Sequence, residues 1–233
     1  MDKSKILILV EGARIDLRLM EHLLRVYGLT ERHQVVSYNT SIYELYRTMF
    51  RSSDPGELDL LQHLKEHERD PQRKLLFDER YSDILLVFDL DPQDPDYTPE
   101  KITEMAAYFT ESSDMGKLYL NYPMVEAFYH MKSIPDPDYD AYTVSLDELR
   151  DGTYKQRVNA ESRGHSYSKF AVNRRECSTV IQQNLEKAQR IAGGKEEFVL
   201  NAQLRALEEK SLLYVLCTCA FYILDYNPRL IES

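Results

Sequence analysis

The chain has 233 residues, of which 43% are hydrophobic, and a formal net charge of −10. This length and composition fit one sizeable buried core with a smaller appended part. The negative charge argues against a protein that coats nucleic acid nonspecifically, because neutralising phosphates needs an excess of Lys and Arg. The three cysteines form neither a disulfide framework nor a zinc-binding pattern, and no apolar run is long enough to span a bilayer, so we expect a cytoplasmic protein without membrane contact.

The chain begins with a short apolar run that predicts a buried strand ending at Glu11. Apolar residues at helical spacing then predict a helix that ends near Gly28, with Asp16 in or near its first turn. An acid at that position is favourable at the positive end of the helix dipole, and it also lies close to Glu11. The next expected elements are a strand at 33–38, a helix at 41–51 and a charged helix from Glu57 to about Arg69.

The charged helix contains His63, Glu66 and His67, which fit the H-x-x-E-H spacing of inverted zinc proteases. This spacing would place both imidazoles on one helix face, where they could bind a catalytic zinc ion. The flanking residues are charged, and a helix rich in His, Glu and Lys produces such a short pattern by chance. A zinc hydrolase is therefore kept as the less favoured enzyme.

A second apolar run, at 84–88, predicts a central strand of a parallel sheet and ends in Asp89-Leu90-Asp91. Ligand sites in open α/β sheets lie just beyond the carboxyl ends of such strands. Carboxylates two residues apart on an extended chain point the same way, so Asp89 and Asp91 are expected to bind one divalent ion. The segment from Asp83 to Glu100 holds six acids and no Lys or Arg, which also indicates a bound cation.

Strands and helices continue to alternate beyond this point. The pattern predicts a helix at 99–109, a strand at 117–120 and another helix that begins near Pro123. This alternation predicts an α/β fold with a mostly parallel, Rossmann-like sheet flanked by helices.

The character of the chain changes at Ile134, after which helices dominate. They are expected from about Ser168 to Ala192 and from about Glu197 to Leu224, the last being apolar almost all round. The predicted domains are a sheet domain at 1–133 and a helical extension at 134–233 packed on it.

A locally basic segment with interleaved aromatic residues lies between Asp151 and Arg175. Its positive charge would engage phosphates while the rest of the acidic protein repels them. The alternative is a solvated helix face with isolated arginines. The nucleic-acid-binding residues predicted from this segment are Lys155, Arg163, His165, Lys169, Arg174 and Arg175.

A strand, a Glu11-Gly12 turn and a helix, followed by a later strand ending in Asp89-x-Asp91, resemble the Toprim domain over roughly residues 3–132. That superfamily includes topoisomerases, bacterial primases, recombination mediators, and nucleases of RNA maturation and phage defence. Topoisomerases need additional large domains, and the primases and recombination mediators carry zinc-ribbon cysteines that this chain lacks. The chain therefore looks most like the stand-alone Toprim nucleases of bacterial anti-phage (abortive infection) systems.

The resemblance implies a magnesium- or manganese-dependent endonuclease that hydrolyses DNA or RNA. It assigns the metal to Asp89 and Asp91, with Glu11 completing the metal site or acting as general base. Asp16 is a further expected ligand, as is Glu126, which follows an Asn-x-Pro turn similar to one in Toprim-bearing defence proteins. A basic residue (Lys117, Lys169 or Arg174) is expected to stabilise the transition state, with Lys117 taken as the catalytic candidate.

The expected partners are nucleic acid and a partner subunit of a defence complex, and a homo-oligomer is compatible with the sequence. A non-catalytic alternative uses the same acidic site as a sensor of phosphate or nucleotide, with the helical extension contacting another protein. Metal-dependent cleavage of DNA or RNA distinguishes the nuclease from the sensor.

Overall fold

The computed structural model of the chain describes residues 5–50, 59–113, 115–193 and 198–231. Its centre is a four-stranded sheet in which every neighbouring pair of strands is parallel, in the order β2-β1-β3-β4. The four strands are β1 (Lys5–Val10), β2 (His33–Ser37), β3 (Tyr81–Asp89) and β4 (Lys117–Asn121). The predicted α/β fold with a parallel sheet flanked by helices is confirmed.

The two central strands, β1 and β3, follow from their sequences. Both are continuous apolar runs, and both are buried on the two faces of the sheet, as expected when helices cover each face. Their register pairs Val10 with Val87, and β3 pairs Asp89 with Asn121 of β4. The carboxyl ends of β1, β3 and β4 therefore meet at one edge of the sheet.

The described helices vary from single turns to a helix of 18 residues. Short 3₁₀ turns occur between them, among them Val125–Tyr129, Tyr167–Lys169 and Cys219–Phe221. None of the described helices is long and apolar enough to cross a membrane. The α-helices are α1 (Ile15–Val26), α2 (Ile42–Phe50), α3 (Leu60–His67), α4 (Pro71–Lys74), α5 (Pro99–Tyr108), α6 (Leu146–Arg150), α7 (Thr153–Glu161), α8 (Arg174–Ile191), α9 (Val199–Lys210) and α10 (Tyr222–Tyr226).

The prediction of a helix that begins near Pro123 was wrong. The Tyr122-Pro123 peptide bond is cis, and only the short 3₁₀ turn Val125–Tyr129 follows it. The turn is buried throughout, so it contributes to the core instead of lying on the surface as a regular amphipathic helix would.

The prediction of a single helix up to Leu224 was also wrong. α9 ends at Lys210, where Ser211 adopts a left-handed conformation with φ of 55°. The chain then forms a short strand, β6 (Leu212–Tyr214), which pairs antiparallel with β5 (Thr143–Ser145). The predicted starts at Glu57 and Glu197 lie outside the described residues, and the helix predicted from about Ser168 begins at Arg174.

The C-terminal half packs closely on the central sheet. Tyr122, just after β4, exchanges backbone hydrogen bonds with Leu216, and residues from both halves belong to one cluster of buried apolar side chains. This docking brings the segment 216–219 and helix α7 to the edge where β1, β3 and β4 end.

Candidate functional site

Three polar side chains follow directly from the ends of adjacent strands. Glu11 comes one residue after β1, and its Oε2 accepts a hydrogen bond from the backbone N–H of Asp89 at 3.0 Å. Asp89 Oδ1 in turn accepts one from Asn121 Nδ2 at 3.1 Å. The structure therefore places Glu11 and Asp89 side by side, with the Asn121 carboxamide holding the Asp89 carboxylate from the far side.

Asn121 is fixed from behind by the C-terminal half. Its Oδ1 accepts hydrogen bonds from the backbone N–H groups of Thr218 and Cys219, both at 3.2 Å. Because the oxygen is occupied by these two donors, the amide nitrogen has to face Asp89. The sequence analysis did not assign Asn121 to the site, although its position after the last parallel strand was a signal for it.

Asp91 reaches the site by a different geometry from the one expected. The strand ends at Asp89, Leu90 is buried, and Asp91 has a φ of 39°, which is left-handed and not extended. The backbone N–H groups of Leu90 and Asp91 bond to the carbonyl of Pro123 at 3.0 and 3.3 Å. The turn over Pro123, and not an extended chain, directs the second carboxylate.

Asp16 and Glu126 complete the acidic group, and each has one buried oxygen without a hydrogen-bond partner, Asp16 Oδ1 and Glu126 Oε2. Asp16 lies in the first turn of α1, close to the Gly12 backbone, and a Cβ at Gly12 would collide with its carboxylate. Glu126, in the 3₁₀ turn after β4, is only 1% exposed. A buried carboxylate oxygen without a partner is costly, so both oxygens are sites where a ligand would be stabilised.

Burial raises the pKa of every carboxyl group in this acidic group. For Asp89, the charges of Asp16, Glu11, Asp91 and Glu126 raise the pKa further, so the five groups lie within electrostatic reach of one another. Burial, opposed by the hydrogen bond from Asp89 N–H, raises the pKa of Glu11 to about 8. The acidic cluster, as we call Glu11, Asp16, Asp89, Asp91 and Glu126, therefore lacks sufficient positive charge.

Lys155, on α7, is the cation that faces this cluster. Its Nζ lies 3.3 Å from Glu126 Oε1, while its side chain stays 57% exposed. Its charge also lowers the pKa of Asp91, Asp16 and Glu11. Lys155 was predicted to contact nucleic acid, and its position over the acidic cluster was not expected.

The acidic cluster meets some requirements of a metal site and not others. In the described part of the chain, no group of three or more His, Cys, Asp or Glu side chains is arranged to hold a metal ion. Glu11 is turned onto the Asp89 backbone, Asp89 onto Asn121, and Glu126 onto Lys155. The donor set nevertheless suits Mg²⁺ or Mn²⁺, since carboxylate oxygens are their preferred ligands and two of these oxygens have no partner.

Lys117, predicted as a catalytic residue, is not part of the acidic cluster. It starts β4, whereas the cluster lies at the end of that strand, about 13 Å away at 3.3 Å per residue. Its Nζ instead contacts Asp225 Oδ2 at 2.5 Å. Lys117 lies at the start of the strand, as predicted, and that end of the strand is remote from the acids it was expected to assist.

Half of the six residues predicted to bind nucleic acid are engaged within the protein, among them Lys155 with Glu126. Arg163 pairs with Glu176 at 2.7 Å, and Arg174 donates to the carbonyl of Leu230. The remaining predicted residues of the segment apart from Lys155 are exposed; these are His165, Lys169 and Arg175. The segment therefore does not form one continuous face of free cations.

The rings of His63 and His67 lie on one face of α3 with their centres 4.2 Å apart, but in the part of the chain that the structure describes no further His, Cys, Asp or Glu joins them to form a metal-binding group. His63 is buried, and its Nε2 lies 2.9 Å from Thr48 Oγ1. His67 Nδ1 contacts the backbone carbonyl of His63, and Glu66 accepts a hydrogen bond from Gln62. The histidines were expected on a solvated face; instead, His63 anchors α3 to α2.

Comparisons of the chain with family models, with curated proteins and with solved structures found no match.

Proposed function

We propose that this protein is a divalent-cation-dependent nuclease that hydrolyses phosphodiester bonds of DNA or RNA. The observation that carries the proposal is the convergence of five acids at the carboxyl edge of the parallel sheet, with two buried oxygens that lack a partner. Sites of this kind lie where ligands bind in open α/β sheets. The Toprim resemblance of the Glu11 and Asp89-x-Asp91 segments supports the same activity.

The residues that would hold Mg²⁺ or Mn²⁺ are Asp89, Asp91 and Glu126, with Asp16 and Glu11 beside them. When bound, such an ion would neutralise charge on the scissile phosphate and lower the pKa of a coordinated water. Asn121 orients the Asp89 carboxylate, and the hydrogen bonds from Thr218 and Cys219 fix the orientation of Asn121.

Two side chains are suited to the remaining steps. Burial raises the pKa of Glu11 to about 8 in the metal-free protein, so its carboxylate is a stronger base than that of an ordinary glutamate, which suits a general base. Lys155 is half-exposed and carries its charge on a flexible stem, so it can leave Glu126 and contact a phosphate. In this role Lys155 takes the place that was predicted for Lys117.

We further propose that the nuclease acts in a bacterial phage-defence system. The support for this setting is the resemblance to stand-alone Toprim defence nucleases, which also implies a partner subunit or a homo-oligomer. The surface on which such a partner would bind is not assigned.

The experiment that tests the function compares metal binding and cleavage in three variants. Mg²⁺ and Mn²⁺ are titrated by calorimetry, and cleavage is assayed on single- and double-stranded DNA and RNA. Asp89→Asn and Asp91→Asn are expected to lose both cation binding and cleavage. Asp83→Asn is the matched control, because Asp83 lies on the same strand at the opposite end and bonds to Ser112; it should retain both.

Three outcomes would contradict the proposal. Cation binding without cleavage of any substrate would favour the phosphate or nucleotide sensor. Cleavage that survives Asp89→Asn would move the active site elsewhere. Stoichiometric zinc that disappears in His63→Ala would favour the zinc hydrolase.

A further inference from the structure

Helix α1, together with the residue before it, Arg14, carries a row of three arginines. Arg14, Arg18 and Arg25 are spaced by four and seven residues, which places them on one face of the helix. All three are exposed, and among the residues that the structure describes none of their guanidinium groups has a hydrogen-bond or ion-pair partner. Glu21 is an acid on this same face. The row extends over roughly 16 Å of helix. Successive phosphates along a strand are closer together than this, so the row is long enough to contact more than one of them.

A cleft of about 280 Å³ lies beside this row. One wall is the α1 face, including Arg18, His22 and Arg25, and the other wall is aromatic, formed by Tyr129, Tyr167 and Phe170. Tyr129 and Tyr167 are stacked with their ring centres 4.4 Å apart. Tyr129 is buried, whereas Tyr167 is only partly buried and lines the cleft, so the Tyr167 ring is the one that a planar ligand in the cleft would meet.

The cleft and the acidic cluster are neighbours. Ile15 lines the cleft and is next to Asp16, and the 3₁₀ turn that begins near Glu126 ends at Tyr129. Burial and, after it, the Glu126 carboxylate raise the pKa of Tyr167 to about 12, so this ring is within electrostatic reach of the cluster. A chain lying in the cleft would therefore lead directly to the carboxylates.

The free cations of α1 contrast with the predicted basic segment. Arg163 and Arg174 are held by Glu176 and by the carbonyl of Leu230. Phosphates bind most readily to guanidinium groups that do not first have to leave another partner. On a protein with a net charge of −10, an unpaired arginine row next to the candidate site marks where a polyanion can approach.

We infer that the α1 arginine row and Tyr167 form a binding cleft for single-stranded nucleic acid, with phosphates against Arg18 and Arg25 and one base stacked on Tyr167. The inference rests on the proposed function and names its class of substrate. A single strand fits because an unpaired base can turn out and stack on an aromatic ring, whereas the bases of a duplex are already stacked on one another.

The test measures binding without divalent cations, so that it does not depend on cleavage. Fluorescence anisotropy follows labelled single-stranded DNA, single-stranded RNA and the matching duplex at several salt concentrations. The double variant Arg18→Glu/Arg25→Glu should bind single strands at least roughly tenfold more weakly, and its log–log salt slope should fall by about 0.7 for each lost contact. The DNA and RNA arms show which strand is preferred.

The matched control is Arg80→Glu/Arg205→Glu. Both arginines are exposed, Arg80 just before β3 at the opposite edge of the sheet and Arg205 on α9, and the net charge changes by the same amount. The control should bind single strands within about twofold of wild type, because general electrostatic attraction is weak beyond a Debye length. An equal loss of single-strand binding in both double variants would overturn the proposal that this cleft binds the strand.

Tyr167 separates stacking from charge. Tyr167→Ala should weaken single-strand binding roughly tenfold, the usual effect of removing one base-stacking ring, while its salt slope stays unchanged. Tyr167→Phe keeps the ring and should bind like wild type. Melting curves establish that the variants are folded; an unaffected Tyr167→Ala that is folded, or tighter binding of the duplex by wild type, overturns the inference.

Failure of the inference differs from failure of the proposed function. If the binding pattern holds but no cation supports cleavage, the cleft stands and the nuclease does not. If cations support cleavage that needs Asp89 while the arginine and tyrosine variants bind normally, the nuclease stands and the substrate enters by another path.

Discussion

Asp89 is almost fully buried among four other carboxyl groups, and burial together with their charges raises its pKa. Asp89→Asn keeps the shape of the side chain and can still accept the hydrogen bond from Asn121. In the folded metal-free protein this buried carboxyl must either keep a proton or bear a charge among four other acids, and an amide avoids both costs. We therefore expect the free energy of unfolding of the metal-free variant to be higher by roughly 1 kcal/mol or more. Thermal unfolding with and without Mg²⁺ checks this: wild type should be stabilised by Mg²⁺ and the variant should not. A lower melting temperature in metal-free Asp89→Asn would contradict it.

The pKa of Glu11 predicts how stability depends on pH. Burial raises it from the ordinary value of 4.5 to about 8, so between these values the folded protein keeps a proton that the unfolded chain releases. The free energy of unfolding of the metal-free protein should therefore fall as pH rises through this range, with Glu11 contributing up to about 1.4 kcal/mol per pH unit. Denaturant unfolding at several pH values measures the slope.

The control for this pH dependence is a pair of isosteric variants. Glu11→Gln should reduce the slope by the share of this one carboxyl, the other four carboxyls of the acidic cluster keeping theirs, and Glu186→Gln, at an exposed position on α8, should leave it unchanged. A free energy of unfolding that rises between pH 5 and 8 in the metal-free wild type would contradict the prediction. It would show that ions from the solution neutralise the acidic cluster.

His63 gives the opposite kind of prediction, a cost in stability without a loss of function. Since His63 is buried and bonded to Thr48, His63→Ala should lower the free energy of unfolding by about 1–2 kcal/mol. His67→Ala, at an exposed position, should change it by less than about 0.5 kcal/mol. Both variants should retain cation-dependent cleavage; loss of cleavage in a folded His63→Ala would contradict this.

At the scale of elements, the end of β4 is where the sheet meets the C-terminal half. Asn121→Ala removes the acceptor of two backbone N–H groups and the donor to Asp89. We expect a loss of about 2–3 kcal/mol, because the N–H groups of Thr218 and Cys219 would be left buried without partners. Chemical denaturation measures it.

A nearby substitution provides the comparison for Asn121→Ala. Thr218→Val removes only the hydroxyl that bonds to the carbonyl of Leu120, so it should cost less than Asn121→Ala and leave Mg²⁺ binding intact. Equal losses of stability and of Mg²⁺ affinity in the two variants would show that Asn121 has no special role in orienting Asp89.

The elements that the sequence predicted well are those with a simple burial pattern. β1 and β3 are apolar runs covered on both faces, and they lie where the hydrophobic pattern placed them. The region after Lys210 was mistaken for a helix because it is apolar on every side, which is typical of a buried helix and equally of a buried strand. After Pro123 the structure has a short, fully buried 3₁₀ turn in place of the expected helix, and a proline at the start of an apolar segment does not distinguish the two.

The candidate site likewise contains residues that the sequence predicted and residues that it could not predict. Glu11 and Asp89 were predicted to be neighbours because parallel strands end at a common edge, and the structure places them in hydrogen-bond contact. Lys155 and the arginines of α1 could not be selected from the other cations by sequence, because their significance depends on which of them find partners in the fold. Charge pairing is a tertiary property, and local composition does not show it.

At the scale of the whole molecule, one apolar core spans the sheet and the C-terminal half. Tyr139, Phe170 and Leu216 belong to the same buried cluster as the sheet residues. Equilibrium unfolding should therefore be a single transition, with fluorescence and circular dichroism giving the same midpoint. A fragment of residues 1–133 should fail to fold alone, because removing residues 134–233 exposes the apolar face of β4 and the turn after it. Two resolved transitions, or a folded fragment, would establish two independent domains.

The carboxylates Glu11 and Asp89 leave the ribosome long before Thr218 and Cys219, whose N–H groups fix Asn121 against Asp89. A chain still being translated therefore carries the acids without the segment that orients them. A polypeptide whose translation stops before residue 219 would also lack the segment that fixes Asn121 against Asp89. Translation itself thus delays assembly of the site: the acids cannot take up this arrangement until residue 219 has been synthesised and has left the ribosome.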